Sequence, residues 1–226
     1  MRVISGSARG MALHSVKGAE TRPTSDFVKE NLFNIIRDDV RGSVFLDLFA
    51  GTGAIGIEAL SRGAAQAVFV DISQKSIDVI RRNLEKSRLK ERAVVMKDDA
   101  LRAVKKLAER KLSERNFAEK KLAEKKLAEQ KRRFDIIYAD PPYFEGLTAR
   151  TLDCIAKHGI LADNGYVVVE MSKAHDLPKV RGLQILKTKE YSSTRLVFLG
   201  MAAAEAASRR HTILEENNDC SIPGEF

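Results

Sequence analysis

Residues 140–143, Asp-Pro-Pro-Tyr, end an apolar run and set a carboxylate, two rigid rings and an aromatic face in a row. Proline holds φ near about −65° and has no N–H, so the turn is stiff and presents acceptors. The Asp140 carboxylate and the Pro141 carbonyl suit a planar exocyclic amine. The lone pair of such an amine is delocalised into its ring, and acceptors aimed at both N–H groups favour a more tetrahedral, more nucleophilic nitrogen. Pro142 keeps the turn rigid, and Tyr143 supplies a face on which an extruded base can stack. The plainer reading is a Pro-Pro turn that closes a strand over a packed Tyr.

A second group of residues supplies a partner for that chemistry. The stretch LDLFAGTGAIGIEAL, 46–60, has Asp47 near a strand end and then Gly51, Gly53 and Gly56 in a turn into a helix. Glycine-rich turns of this kind serve dinucleotides, phosphates and S-adenosylmethionine alike. No Lys-Ser/Thr follows, which argues against a triphosphate loop. A carboxylate at Asp47 repels a pyrophosphate but attracts a sulfonium and an α-amino group. Asp71 is placed to accept from both ribose hydroxyls of an adenosine, and Asp99, or its neighbour Asp98, from the adenine amino group. Any one of these acids alone reads better as a helix cap. Asp-terminated strands in succession, with a glycine turn, read better as a ligand edge.

The elements that must position these residues alternate. Strands are expected at 43–50, 65–71, 92–100, 133–142 and 165–172, and helices at 53–63, from Ser73 onward with Ile77, Ile80 and Leu84 on one face, and at 147–159. Gly63 and Gly159 suit left-handed helix ends. The last strands, 183–191 and 195–201, are close enough to pair antiparallel across Ser-Ser-Thr. Alternation of this kind predicts a three-layer α/β domain with right-handed crossovers and a mostly parallel, Rossmann-like sheet. Ahead of it, residues 1–42 read as a strand and turn followed by a helix from near Thr24 or Ser25, with Phe27, Val28, Leu32, Ile35 and Ile36 on one stripe.

At 226 residues, 44% hydrophobic and 31% charged, the chain is long enough for a full core. No apolar run reaches the ~20 residues of a membrane span, and the N-terminus lacks the apolar core of a signal peptide. Two separated cysteines argue for the cytoplasm and against structural zinc, so no metal is expected. A net charge of +8 suggests an anionic partner. Residues 105–129 repeat a pentapeptide, KKLAE and its variants, five times. A five-residue step turns a helix by ~140°, so its Leu and Phe residues spiral and no coiled-coil seam results. The insertion, 105–133, reads as a solvated linker or as a cationic arm for a phosphate backbone. Residues 202–226 turn polar and are expected to be disordered.

The motifs MRVISGSARGMAL, RPTSDFVKENLFNII, FLDLFAGTGAIGIEALSRGA, VFVDIS, DDAL, FDIIYADPPY and GYVVVE occur in this order and cover most of residues 1–200. Together they resemble the RsmD family, bacterial 16S rRNA guanine-N2-methyltransferases. The resemblance implies a class I methyltransferase sheet over 43–201 with an antiparallel last strand and a small basic N-terminal extension. It implies that Asp47, Phe49, Ala50, Gly51, Gly53, Asp71, Ile72, Asp99, Ala100 and Thr24 hold S-adenosylmethionine. It also implies that Asp140, Pro141, Pro142 and Tyr143 hold the guanine, and that Arg2, Arg9, Lys17 and Arg22 touch rRNA phosphates. Asp71 stands where the family more often has Glu, and the pentapeptide array stands where it has a short connection.

The implied partner is 16S rRNA, free or within a small ribosomal subunit. No membrane is involved, and the protein is expected to act as a monomer. The Asp-Pro-Pro-Tyr turn alone also fits transfer to adenine N6 or cytosine N4 of DNA, or to a protein glutamine. A pocket that binds the donor without turnover, in an rRNA-binding assembly factor, is the reading from a different class. The four histidines occur singly and outside these motifs, so none is assigned catalysis.

Overall fold

Seven strands, β1 (Val44–Leu48), β2 (Gln66–Asp71), β3 (Ala93–Lys97), β4 (Phe134–Ala139), β5 (Leu161–Ser172), β6 (Leu183–Tyr191) and β7 (Thr194–Met201), form one sheet in the order β3-β2-β1-β4-β5-β7-β6. The structure is a computed structural model that describes residues 1–15, 26–109, 133–142 and 146–202. The first five strands run parallel, and β7 lies antiparallel between β5 and β6. The expected hairpin is present, with Tyr191 facing Thr194 and Ser192 at φ 40° in the turn.

Alternation along the central strands divides the core in two. Phe45, Phe69, Ile136, Tyr138 and Val168 face one side, where they pack with residues of α1 (Asp26–Ile35), α3 (Ala54–Ser61) and α4 (Gln74–Ser87). Leu46, Val70, Ile137 and Val169 face the other, against α5 (Ala100–Ala108) and α6 (Leu147–His158). Both faces are covered, which is why the central strands read as near-continuous apolar runs. A one-turn helix, α2 (Arg37–Val40), joins α1 to β1.

Helix α4 has the expected Ser73 cap, which accepts from the Ser76 N–H, and Ile77, Ile80 and Leu84 are all buried. Gly63 (φ 103°) and Gly159 (φ 63°) end α3 and α6 as anticipated. Three details differ. β3 stops at Lys97, not at residue 100, because Asp98 and Asp99 turn the chain into α5. β5 begins at Leu161, four residues before the expected 165, where Phe134 pairs with Leu161 ahead of a register shift. Phe27 is exposed, its ring edge-on to Tyr191 at 5.9 Å, and Phe33 takes the buried place on α1.

Residues 1–15 form a turn closed by an isolated bridge between Arg2 and Ala12. They are bound to the helices through side chains. The buried Glu58 carboxylate accepts from the Ile4 N–H (2.7 Å), the Ser5 N–H (3.0 Å) and Arg62 Nε (2.7 Å). Fully buried Lys29 lies 3.9 Å from Glu58 and donates to the Arg2 carbonyl. Asn83 of α4 pairs with both backbone groups of His14 and donates to the Thr52 carbonyl.

Gly56 of α3 lies against Phe69 of β2. A Cβ there would stand 2.3 Å from Phe69 Cε1, so the third glycine of the turn motif is a packing residue. Gly56→Ala should lower stability by about 1–3 kcal/mol through overpacking, in spite of Ala's better helix propensity. A fall in the urea midpoint with an unchanged m-value checks this; an unchanged or raised midpoint contradicts it.

Candidate active site at the carboxyl edge of the sheet

Parallel strands release their chain ends at one edge, and here that edge is acidic. Register puts Asp47 beside both Phe69 and Tyr138, and Tyr138 beside Val168. The two-residue period then carries Asp71, Asp140 and Glu170 onto the same face, the α3 side. Four strands therefore bring four carboxylates and one phenol to a single margin.

Local backbone chemistry holds the glycine turn against them. Asp47 is 1% exposed and accepts from the Gly56 N–H at 2.9 Å. Asp71 accepts from the Gly51 N–H through one oxygen and the Ser73 N–H through the other, each at 2.8 Å. The turn is tight: φ is 62° at Phe49, 54° at Gly51 and 76° at Gly53. Phe49 is the costly one, since a non-glycine residue at positive φ is strained and persists only where its surroundings hold it. A Cβ at Gly51 would meet nothing within 4 Å, so the turn's outer side is open. Ala50 is buried, and Ile72, just past Asp71, is 67% exposed, a large apolar side chain beside the carboxylates.

Electrostatics follow from the crowding. Burial pushes the Asp47 carboxyl well above the usual carboxylate range; the Gly56 N–H opposes this, and Asp71 and Asp140 add to it. Burial, and then the Glu170 charge, push Asp140 up to about 7. Glu170 is buried and accepts a hydrogen bond from the hydroxyl of buried Tyr138.

The two candidates for the adenine contact separate. Asp98 is buried and paired with Arg102 (3.0 Å) and Lys106 (2.5 Å) of α5. Its pKa is lowered, because these cations and the Asp99 N–H outweigh the effect of burial. Asp99 is the α5 N-cap: a single oxygen accepts from the Leu101 and Arg102 N–H groups, both at 3.1 Å. Ala100 is buried as the first residue of that helix.

At the acceptor turn, Pro141 is buried and Pro142 exposed. Tyr143, Thr24, Lys17 and Arg22 lie outside the described residues, as do array residues 110–132 and tail residues 203–226. Arg2 and Arg9 are both exposed. Arg9 belongs to a turn pinned to Ser61, whose hydroxyl accepts from the Ala8 N–H at 2.9 Å. That is the C-terminal end of α3, away from the carboxyl edge, and Arg9 shares a groove there with Asn34, Arg37 and Arg62. Glu170 and Tyr138 were not among the expected site residues. Their signal was present: GYVVVE is a fifth apolar strand closing on an acid, and Tyr138 stands two residues before Asp140.

Among the described residues, no group of three or more His, Cys, Asp or Glu side chains could hold a metal ion. No described helix is long and apolar enough to cross a membrane.

The family model described as "Conserved hypothetical protein 95" matches residues 1–114 and 110–200. This chain belongs to the RsmD family. A Bacillus subtilis relative in it, named "Putative rRNA methyltransferase YlbH", is 38% identical over 190 residues, covering 84% of this chain and 92% of its own. The Escherichia coli "Ribosomal RNA small subunit methyltransferase D" is 32% identical over 180 residues, 80% and 79% of the two chains. Among solved structures, the Escherichia coli "Putative methyltransferase yhhF" superposes with a TM-score of 0.71 at 28% identity, covering 90% of this chain and 98% of its own. The RsmD family fold expected from the motifs is thus the fold observed, with its antiparallel strand in place.

Raised pKa at Asp47 couples stability to pH. The folded state keeps a proton that the unfolded chain releases above its ordinary carboxylate pKa, so this site favours folding at low pH and loses that contribution as pH rises. Asp47→Asn keeps an acceptor for the Gly56 N–H and removes the titration. The urea midpoint of the unliganded variant should exceed wild type at pH 8 by more than at pH 5. An equal change at both values would show that Asp47 is not held protonated.

Proposed function

We propose that this protein transfers a methyl group from S-adenosylmethionine to the exocyclic N2 of a guanine in 16S rRNA. The observation that carries the reading is the placement of Asp140: half-buried, just past the end of β4, on the same face and edge as the Asp47–glycine turn–Asp71 constellation. Full-length relatives named as rRNA methyltransferases point to the substrate class.

The donor set fits a cationic nucleoside. A carboxylate has about four lone-pair sites. At Asp71 the Gly51 and Ser73 N–H groups use two, which leaves acceptors for a ribose. Asp99 caps α5 through one oxygen and keeps the other for an adenine amino group, whereas Asp98 is taken up by Arg102 and Lys106. Exposed Ile72 offers an apolar surface to the adenine, Phe49 to Gly53 form the turn under the methionine part, and Ala100 lets the base approach α5. Thr24 would close over the methionine end. When bound, S-adenosylmethionine supplies an electrophilic methyl carbon and leaves as a neutral thioether.

The chain's own work is positioning. Asp140 and the Pro141 carbonyl accept from the guanine amino group, Pro142 stiffens the turn, and Tyr143 stacks on the base. The proton that N2 loses passes to an acceptor only as the methylated amine forms. Arg2, Arg9, Lys17 and Arg22 are assigned to rRNA phosphates, with the 1–42 region as the RNA-facing part and 43–201 as the methyltransferase domain. A cytoplasmic monomer suits this role.

Asp140→Ala should lower transfer by at least about 10²-fold, the scale of a lost electrostatic contact to the reacting group, with S-adenosylmethionine affinity changed only a few-fold. A tritiated-methyl assay offering 16S rRNA, small subunits, plasmid DNA and a release factor in parallel, with calorimetry for the donor, checks both. Label on DNA or protein, or full turnover by Asp140→Ala, overturns the reading.

A further inference from the structure

The site contains a buried carboxylate that the reaction as described does not use. Glu170 lies on β5 one residue past the last pair with β4, next to the acceptor turn, and is 6% exposed. The last paired residues of the two strands are Ala139 and Val169, so Asp140 and Glu170 follow each other's register at the strand tips. The Tyr138 hydroxyl donates to Glu170 Oε2 from within β4. Such an arrangement is expensive: a second carboxylate at this margin repels the first, and an apolar residue at position 170 would avoid that. A charge retained at that cost, and fixed by a dedicated donor, is positioned to act on its neighbour.

We propose that Glu170, clamped by Tyr138 beside the acceptor turn, is a positioning residue that makes Asp140 the acceptor of the proton the target amine loses. The inference rests on the reading of Asp140 as the residue that holds the target amine. Methyl transfer leaves the new secondary amine with one proton too many. Asp140 takes it: an N–H bond breaks, its electron pair returns to nitrogen, and an O–H bond forms on the carboxylate, which later releases the proton to solvent. An isolated exposed Asp, with a pKa of about 4, is a weak acceptor for such a proton. One whose pKa lies near the working pH is matched to the task.

The charges facing Asp140 can be named among the described residues. Glu170 of β5 is the acid whose charge raises the Asp140 pKa beyond the effect of burial. Asp47 of β1 lies on the same face and is itself held toward its neutral form, so it adds little negative charge. Asp71 of β2 is bound to the Gly51 and Ser73 N–H groups. On α1 and α3, the charges on this side are engaged with each other: Lys29 with Asp26 and Glu58, and Arg62 with Glu58. Arg195 of β7 shares its face with Met171, opposite to Glu170, and donates to the His175 carbonyl.

The test is the pH profile of single-turnover methyl transfer to small subunits or 16S rRNA, for wild type, Glu170→Gln and Tyr138→Phe. Wild type should lose rate below an acid limb near pH 7. Glu170→Gln keeps the shape and removes the repelling charge, so Asp140 ionises more easily and the limb should move down by about one pH unit. Tyr138→Phe removes the donor that fixes the Glu170 carboxyl beside Asp140, and the limb should shift in the same direction by less. Should Glu170→Gln fail to fold, Tyr138→Phe decides alone. A uniform loss of rate with the limb unmoved, in whichever variant folds, overturns the inference and marks Glu170 as structural. Absence of transfer by wild type at every pH would instead overturn the function on which it rests.

Discussion

Everything at this site follows from carboxylates brought together at one edge of a parallel sheet and compensated by backbone N–H groups. Asp47 and Asp71 are satisfied by Gly56, Gly51 and Ser73, so the same bonds that neutralise the acids also shape the turn. Phe49 at positive φ is the local cost, and the buried strand ends on either side hold it there. A ligand that brings positive charge and hydroxyl donors completes what the backbone only partly supplies. A pyrophosphate would do the opposite.

The same logic explains how the N-terminal segment joins the domain. Glu58 lies on α3, whose first turn receives Asp47 and whose far end receives residues 4–8. Breaking one partner of such a buried ionic group costs more than the pair contributes, so Lys29, Glu58 and Arg62 lock the segment in place more than they add stability. One short helix thereby connects the donor turn to the region that carries Arg2 and Arg9. Because Arg9 sits at the far end of α3, an RNA reaching both Arg9 and Asp140 must run along the α1–α3 side of the molecule.

Most of this was legible in the sequence, for physical reasons. Strands buried on both faces write themselves as apolar runs, and Ser73, Gly63 and Gly159 mark helix ends through side-chain capping and positive φ. Asp98 and Asp99 were harder. An apolar run continues to the eye through Met96, but whether the chain extends or turns depends on which carboxylate meets the next helix, and that is settled by Arg102 and Lys106 one and two turns later. Phe27 and Phe33 both fit a helical stripe, and only packing against α3 decides which is buried. Glu170 and Tyr138 each leave a trace in the sequence, but only the β4–β5 register shows that they stand beside each other and Asp140.

The most direct measurement is a crystal structure of the protein with S-adenosylhomocysteine and a guanosine nucleotide. The account requires the thioether product at the carboxyl edge, ribose on Asp71 and adenine near Asp99, with the purine amino group against Asp140 and the Pro141 carbonyl. Ligand bound at another edge, or a purine whose amino group points away from Asp140, would contradict it.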